Sequence, residues 1–140
     1  MRSATPEDFV AAQDRVWPSV EAELAAGAKA GHWMWFVFPQ LAGLGRSETA
    51  RFYGLASADA ARAYLAHPTL GPRLRQAVTL MLTHAGTPPE AILGGVDAMK
   101  LRSSLTLFAA PAPGEALFGR ALDAFYAGER DPRTLALIDA

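Results

Sequence analysis

Three polar residues in "VDAMKLRSSLTLF" (residues 96–108) stand at helical spacing, with Asp97, Lys100 and Ser104 following one another at i+3 and i+4. On a helix they share one face, and a carboxylate, an ammonium and a hydroxyl in one row make a compact site for holding an anion or moving a proton. Arg102 and Ser103 add a second cation and a second hydroxyl. The structural alternative makes Asp97 a helix N-cap with Val96 and Leu101 as its hydrophobic staple, and leaves the serines bonding back to the preceding turn. On that alternative Asp97→Asn costs little stability, because both residues cap well.

The second chemically suggestive stretch is "AKAGHWMWFVFPQ" (residues 28–40), an apolar run bracketed by Lys29, His32 and Gln40. Phe36, Val37 and Phe38 read as core. Trp33 and Trp35 are two apart and cannot share one helix face, so at least one indole is expected to line a cavity or surface, where it would serve as a stacking platform for a flat ligand. Of the thirteen basic residues, only Lys29 and Lys100 are lysine. The arginine excess reads as coding bias, and each exception stands beside one of the two stretches. Two ammonium groups next to the most apolar segments would lose hydration unless paired, and Lys29 has no acid in its own segment. We therefore expect the stretches to meet. Lys29, His32, Trp35 and Gln40 should line one pocket with Asp97, Lys100 and Ser104, over a floor of Phe36 and Phe38, and that pocket should be short of negative charge and ready for an anion.

No cofactor or metal is implied. There is no glycine-rich phosphate loop, no histidine metal pair and no Gly-x-Ser-x-Gly elbow. His67 precedes a proline and His84 falls near a helix C-terminus, so neither reads as a ligand.

The elements that must position these groups are short helices with sharp punctuation. Thr5 with Pro6 opens the first, with Phe9, Ala12, Val16, Val20 and Leu24 as its apolar face, Pro18 as a kink or break, and Gly27 as its end. Ser47 and Ser57 cap two further helices that bury Phe52, Leu55, Tyr64 and Leu65. The most regular segment, "TLGPRLRQAVTLMLTHAG", puts Leu70, Leu74, Ala77, Val78, Met81 and Leu82 on one face, with Arg73 and Arg75 outside it. "TPPE" (residues 87–90) has the form of a capping box, "APAPGE" that of a stiff loop, and two capped or amphipathic helices complete the chain, the first ending at Gly128. Residues 33–38 lack a partner strand and are expected to be a fully buried helix or an extended core segment. The fold class is all-α, a compact multihelical domain over residues 1–140.

Composition agrees with one core. The chain has 140 residues, 51% hydrophobic and 19% charged, and no cysteine. A net charge of −1 leaves no basic footprint for non-specific nucleic-acid binding. The N-terminus lacks the apolar centre of a signal peptide and no run is long enough to span a membrane, so the cytoplasm is the expected location.

The segments "AELAAGAKAGHWMWFVFPQLAGLGRSETARFYGL", "ARAYLAHPTLGPRL" and "DAMKLRSSLTLF", in this order, are together similar to a bacterial family catalogued as domain of unknown function 1810, some of whose members carry the misleading label calpastatin. The resemblance covers nearly the whole chain and implies a mostly helical single domain. Family members often enter the aromatic run through a Gly-Arg-Lys type of sequence where this chain reads "GAKAGHW", and Pro18 is unusual for them. A looser similarity, to the NADAR group of domains that process ADP-ribose conjugates, implies cleavage of an N-glycosidic bond through an oxocarbenium-like transition state. On that analogy Asp97 or Glu48 stabilises positive charge, Lys29, Lys100 and Arg102 hold phosphates, and Trp33 or Trp35 stacks the base, with Ser47, Ser103 and Ser104 among the binding groups and His32 among the catalytic ones. The expected function is an enzyme on a nucleotide-derived small molecule, possessing an anionic or nucleotide-like ligand; the alternative is a non-catalytic binding or interaction module.

Overall fold

In the computed structural model, which describes residues 3–112 and 114–139, helix α1 (Pro6–Ala26) begins with a reciprocal cap. The Thr5 hydroxyl accepts from the Asp8 N–H at 3.2 Å, and the Asp8 carboxylate accepts from the Thr5 N–H at 2.9 Å. The helix then runs unbroken past Pro18, so of the two outcomes expected there, a kink or a break, the break does not occur. Pro18 stands on the exposed side, where water can take the carbonyl it leaves unbonded, while Trp17, Val20 and Leu24 hold the helix from within. The buried face is also rotated from the expected one. Gln13 and Trp17 are inside, and Ala12 and Val16 lie at the margin.

A glutamine can be buried here because both ends of its amide are satisfied. Gln13 Nε2 donates to the Phe36 carbonyl at 2.6 Å and to the Tyr64 hydroxyl at 3.0 Å, and Arg73 donates to its Oε1 at 3.4 Å. Burial pushes the Tyr64 phenol above its ordinary value, against the pull of Gln13 and the Arg73 charge. Gly27 ends α1 in the left-handed region at φ 71°, and the His84 ring lies 2.8 Å from the Leu24 carbonyl and 3.1 Å from that of Ala25, closing the exposed end of the helix.

The aromatic run resolves into one turn, α2 (Met34–Val37), followed by a 3₁₀ turn (Ala42–Leu44) and α3 (Glu48–Phe52), which Ser47 caps. A single pair of backbone bonds ties this segment together: the Ala42 N–H donates to the Leu55 carbonyl and the Leu55 N–H to that of Gln40, each at 2.9 Å. The approach requires Gly54, since a Cβ there would stand 2.3 Å from the Ala42 Cα. No strand forms among the described residues.

Next come α4 (Ala58–Ala66), capped by Ser57, and α5 (Leu70–Leu82), which buries Leu70, Leu74, Ala77, Val78 and Met81 as its spacing predicts but leaves Leu82, expected on the same face, half-buried. Arg73 and Arg75 are half-buried and paired with Asp14 and Glu115. Glu115 belongs to the "APAPGE" connection, in which Pro113 lies outside the described residues.

Helix α6 (Pro89–Leu93) has no capping box. Pro88 occupies the cap position, which leaves Thr87 one residue too early. Helix α7 (Gly95–Ala109) is the centre of the molecule. Six consecutive residues, Ser103 to Phe108, are buried, and the helix packs against α4, α6, α8 (Leu117–Tyr126) and α9 (Pro132–Asp139). Enclosure on these sides buries even its hydroxyl residues Ser103, Ser104 and Thr106, and leaves Val96, Met99, Lys100 and Arg102 on the remaining side. Helix α8 stops at Tyr126, two residues before Gly128, with Ala127 already at φ 53°. Asp131 caps α9 by accepting the Thr134 N–H at 2.9 Å.

Candidate functional site

Asp97 is not a helix cap. Helix α7 starts two residues before it, at Gly95 with Gly94 in the cap position, and Val96 is 70% exposed, so the staple does not form either. The first turn of α7 instead projects the Asp97 carboxylate toward the loop after α1. There Lys29 meets it, with Nζ 2.8 Å from Oδ2. The two stretches singled out in the sequence come together at this ion pair. The expectation that Asp97→Asn is nearly neutral falls with the cap.

The loop that presents Lys29 is built on Glu23. One oxygen of this carboxylate accepts the N–H groups of Ala30 and Gly31 at 2.7 and 2.8 Å and the Trp33 indole N–H at 3.0 Å. Desolvation raises the Glu23 carboxyl, but the bonds from Gly31, Ala30 and Trp33, with the Lys29 charge, outweigh it and hold the group below its usual value. The Lys29 side chain is 8% exposed; its Nζ also donates to the Gly31 carbonyl at 2.6 Å and lies 5.0 Å from the centre of the Trp33 ring. Its main chain is fastened to α6 through the Ile92 carbonyl at 2.9 Å.

On the other side of Asp97 the contacts loosen. Lys100 Nζ is 3.8 Å from Oδ1 and 5.2 Å from the centre of the Trp35 ring, with 25% of its side chain exposed. Lys100, Gln40 and Ala50 border two hollows. One is a notch of about 10 Å³ walled by Met34, Trp35, Phe38 and Tyr53. The other is an open cleft of about 530 Å³ between the 3₁₀ turn, α3 and the exposed side of α7. Four cations, Arg46, Lys100, Arg102 and Arg133, line the cleft against one carboxylate, Asp131, which is engaged as the α9 cap. Val96 and Met99, 70% and 73% exposed, add apolar surface to it.

The predicted site residues therefore divide. Lys29, Asp97, Lys100 and Trp35 form one continuous chain of contacts, with Gln40 adjoining Lys100. Gln40, Ser47, Lys100, Arg102 and Ser103 line the cleft, where Ser47 is occupied as the α3 cap and Ser103 bonds back to the Met99 carbonyl at 3.3 Å. Arg102 donates to the carbonyls of Glu129 and Arg130 at 3.0 and 2.9 Å, which fixes its guanidinium at the cleft wall. Trp33 is inside the core, so stacking against a ligand is closed to it. Ser104 is buried beneath the row that its spacing suggested, because the inner side of α7 is enclosed. His32 and Glu48 are exposed and line neither hollow. Phe36 faces Tyr53 at 5.4 Å rather than flooring the cleft, whereas Phe38 does wall the notch.

The expected shortage of negative charge is also displaced. Lys29 is neutralised by Asp97, and the cleft instead gathers arginines: Arg102, already a candidate and 3.8 Å from the Glu129 carboxylate, with Arg46 and Arg133, which sequence reasoning passed over as coding bias. Their scatter over residues 46, 102 and 133 carried no local signal. Among the described residues no group of three His, Asp or Glu side chains is placed to hold a metal ion.

Comparison with known proteins gives a family and a fold. The profile of a family described as protein of unknown function (DUF1810) matches residues 4–138. The chain is 47% identical to the conserved hypothetical protein Rv1873 from Mycobacterium tuberculosis, whose crystal structure superposes with a TM-score of 0.94 over 96% of each chain. No curated protein matches.

Proposed function

We propose, from the premise that this chain belongs to the DUF1810 family of unknown function, that it binds an anionic, nucleotide-derived small molecule in the cleft beside Lys100. The observation that carries the proposal is the grouping of Arg46, Lys100, Arg102 and Arg133 around one hollow in a chain whose net charge is −1. A local excess of cations in a concave site focuses potential on a phosphate or carboxylate, and arginine forks match those groups in shape. A cytoplasmic location belongs to the same proposal, since a chain without cysteine needs no oxidising compartment and no described helix is long and apolar enough to cross a membrane.

Thermal unfolding with millimolar ADP-ribose, NAD, nucleotides and inorganic phosphate tests it. A ligand present at hundreds of times a micromolar Kd stabilises by about 3–4 kcal/mol, and the effect should fade with added salt and in an Arg46→Ala/Arg133→Ala variant. No stabilisation by any of these ligands overturns the proposal.

Hydrolysis of an ADP-ribose-type N-glycosidic bond is the second reading. It depends on Asp97, the carboxylate beside Lys100 and Trp35, to stabilise an oxocarbenium-like charge. Against it, Oδ2 already pairs with Lys29 at 2.8 Å, which cancels much of the field the carboxylate would offer a substrate. Binding without turnover is the reading the geometry favours, and the release of nicotinamide from NAD, followed by chromatography, would reverse that order.

A further inference from the structure

Two lysines reach one carboxylate on different terms. Lys29 is enclosed and makes short contacts to Asp97 and Gly31, at 2.8 and 2.6 Å. Lys100 has a long contact of 3.8 Å and an indole face, and its flexible stem lies at the wall between the notch and the cleft. The notch has room for about one water, yet its walls are the rings of Trp35, Phe38 and Tyr53 and the side chain of Met34. With Lys100 in place the notch is too small for a ring, and Lys100 occupies the indole face where a ring would lie. Gln40 borders both hollows, and its side-chain amide makes no hydrogen bond among the described residues, so a donor and an acceptor stand ready at the same place.

We infer that notch and cleft are one bipartite site for a planar heterocycle joined to a phosphate, and that Lys100 is the residue that moves between them. Its ammonium leaves the Trp35 face to pair with the phosphate in the cleft. The heterocycle takes its place on the indole, and Gln40 bonds to the edge of the ring. Lys29 makes this exchange possible, because Asp97 keeps its short ion pair when Lys100 departs. The inference rests on the anion-binding cleft proposed above and adds the ring seat, the selecting residues and the moving part.

Calorimetric titration of the full chain with AMP, ribose 5-phosphate and adenosine separates the two claims. AMP should bind at least about tenfold tighter than ribose 5-phosphate, a ratio that base stacking alone can supply. Trp35→Ala or Gln40→Ala should shrink that ratio toward one while leaving ribose 5-phosphate affinity in place. AMP should also quench tryptophan fluorescence in the wild type but not in Trp35→Phe, since Trp17 and Trp33 are buried. Lys100→Met should weaken both phosphates and spare the weak binding of adenosine. Equal affinity for AMP and ribose 5-phosphate, unchanged in the Trp35 and Gln40 variants, overturns the bipartite site and leaves the anion cleft standing. Binding of neither phosphate overturns both.

Discussion

Lys29 over Trp33 and Lys100 over Trp35 are the same pair of residue types built twice around one carboxylate. On the first side the lysine is enclosed, the indole donates to Glu23, and a loop of backbone bonds locks both in place. On the second, the lysine is partly exposed, its ion pair is long, and two hollows adjoin it. The difference teaches that a lysine and an indole at a polar focus have no function of their own. Enclosure makes the first pair a structural clasp, and access makes the second a binding element.

The two sides therefore respond differently to substitution. The largest effect belongs to Asp97→Asn. It leaves the enclosed Lys29 ammonium facing a neutral amide, and urea unfolding should show a loss of about 2–4 kcal/mol, whereas Lys100→Met should cost less than about 1 kcal/mol. Equal losses would erase the distinction. Next in size, Trp33→Phe removes a buried donor from Glu23 and should cost about 1–3 kcal/mol; Trp35→Phe, half-buried and without that bond, should stay below about 1 kcal/mol.

Glu23→Gln gives a smaller loss, about 1 kcal/mol near neutral pH, and a distinctive pH dependence. The folded carboxyl lies below its usual value of 4.5, so the unfolded chain takes up the proton first as pH falls. The stability contributed by Glu23 is present above that usual value and is lost as pH drops through the folded one. Wild type and variant should therefore converge in acid. A constant difference between pH 7 and pH 3 would show that the clasp does not depend on the charge. Smallest of all is Ser104→Ala. The buried Ser104 hydroxyl has no hydrogen-bond partner among the described residues, so the change should lie within about 0.5 kcal/mol of neutral or be stabilising. A cost above about 1 kcal/mol would mean that Ser104 holds something in place.

Local signals were legible and distant ones were not. The caps at Thr5, Ser47 and Ser57 and the buried face of α5 follow from spacing along one segment, and the structure keeps them. The cap proposed for Asp97 has the same local form and failed, because Gly95 already continues the helix and a partner from another part of the chain took the carboxylate. The burial of Gln13 had no sequence signal either, since it depends on Phe36, Tyr64 and Arg73 converging from three other segments.

That this is a helical chain, that Trp33 and Trp35 point to different surroundings, and that Lys29 needs an acid from elsewhere could all be read along the sequence. These are matters of helical period and of the cost of desolvating a charge, and both act within a few residues. That the acid is Asp97, that Trp33 is the buried indole, and that Arg46, Arg102 and Arg133 share one cleft emerges from the packing of the whole chain. Each of these depends on which surfaces close over a side chain, and enclosure is set by helices far apart in the chain packing around α7, whose placement leaves one lysine inside and the other at the door of the cleft.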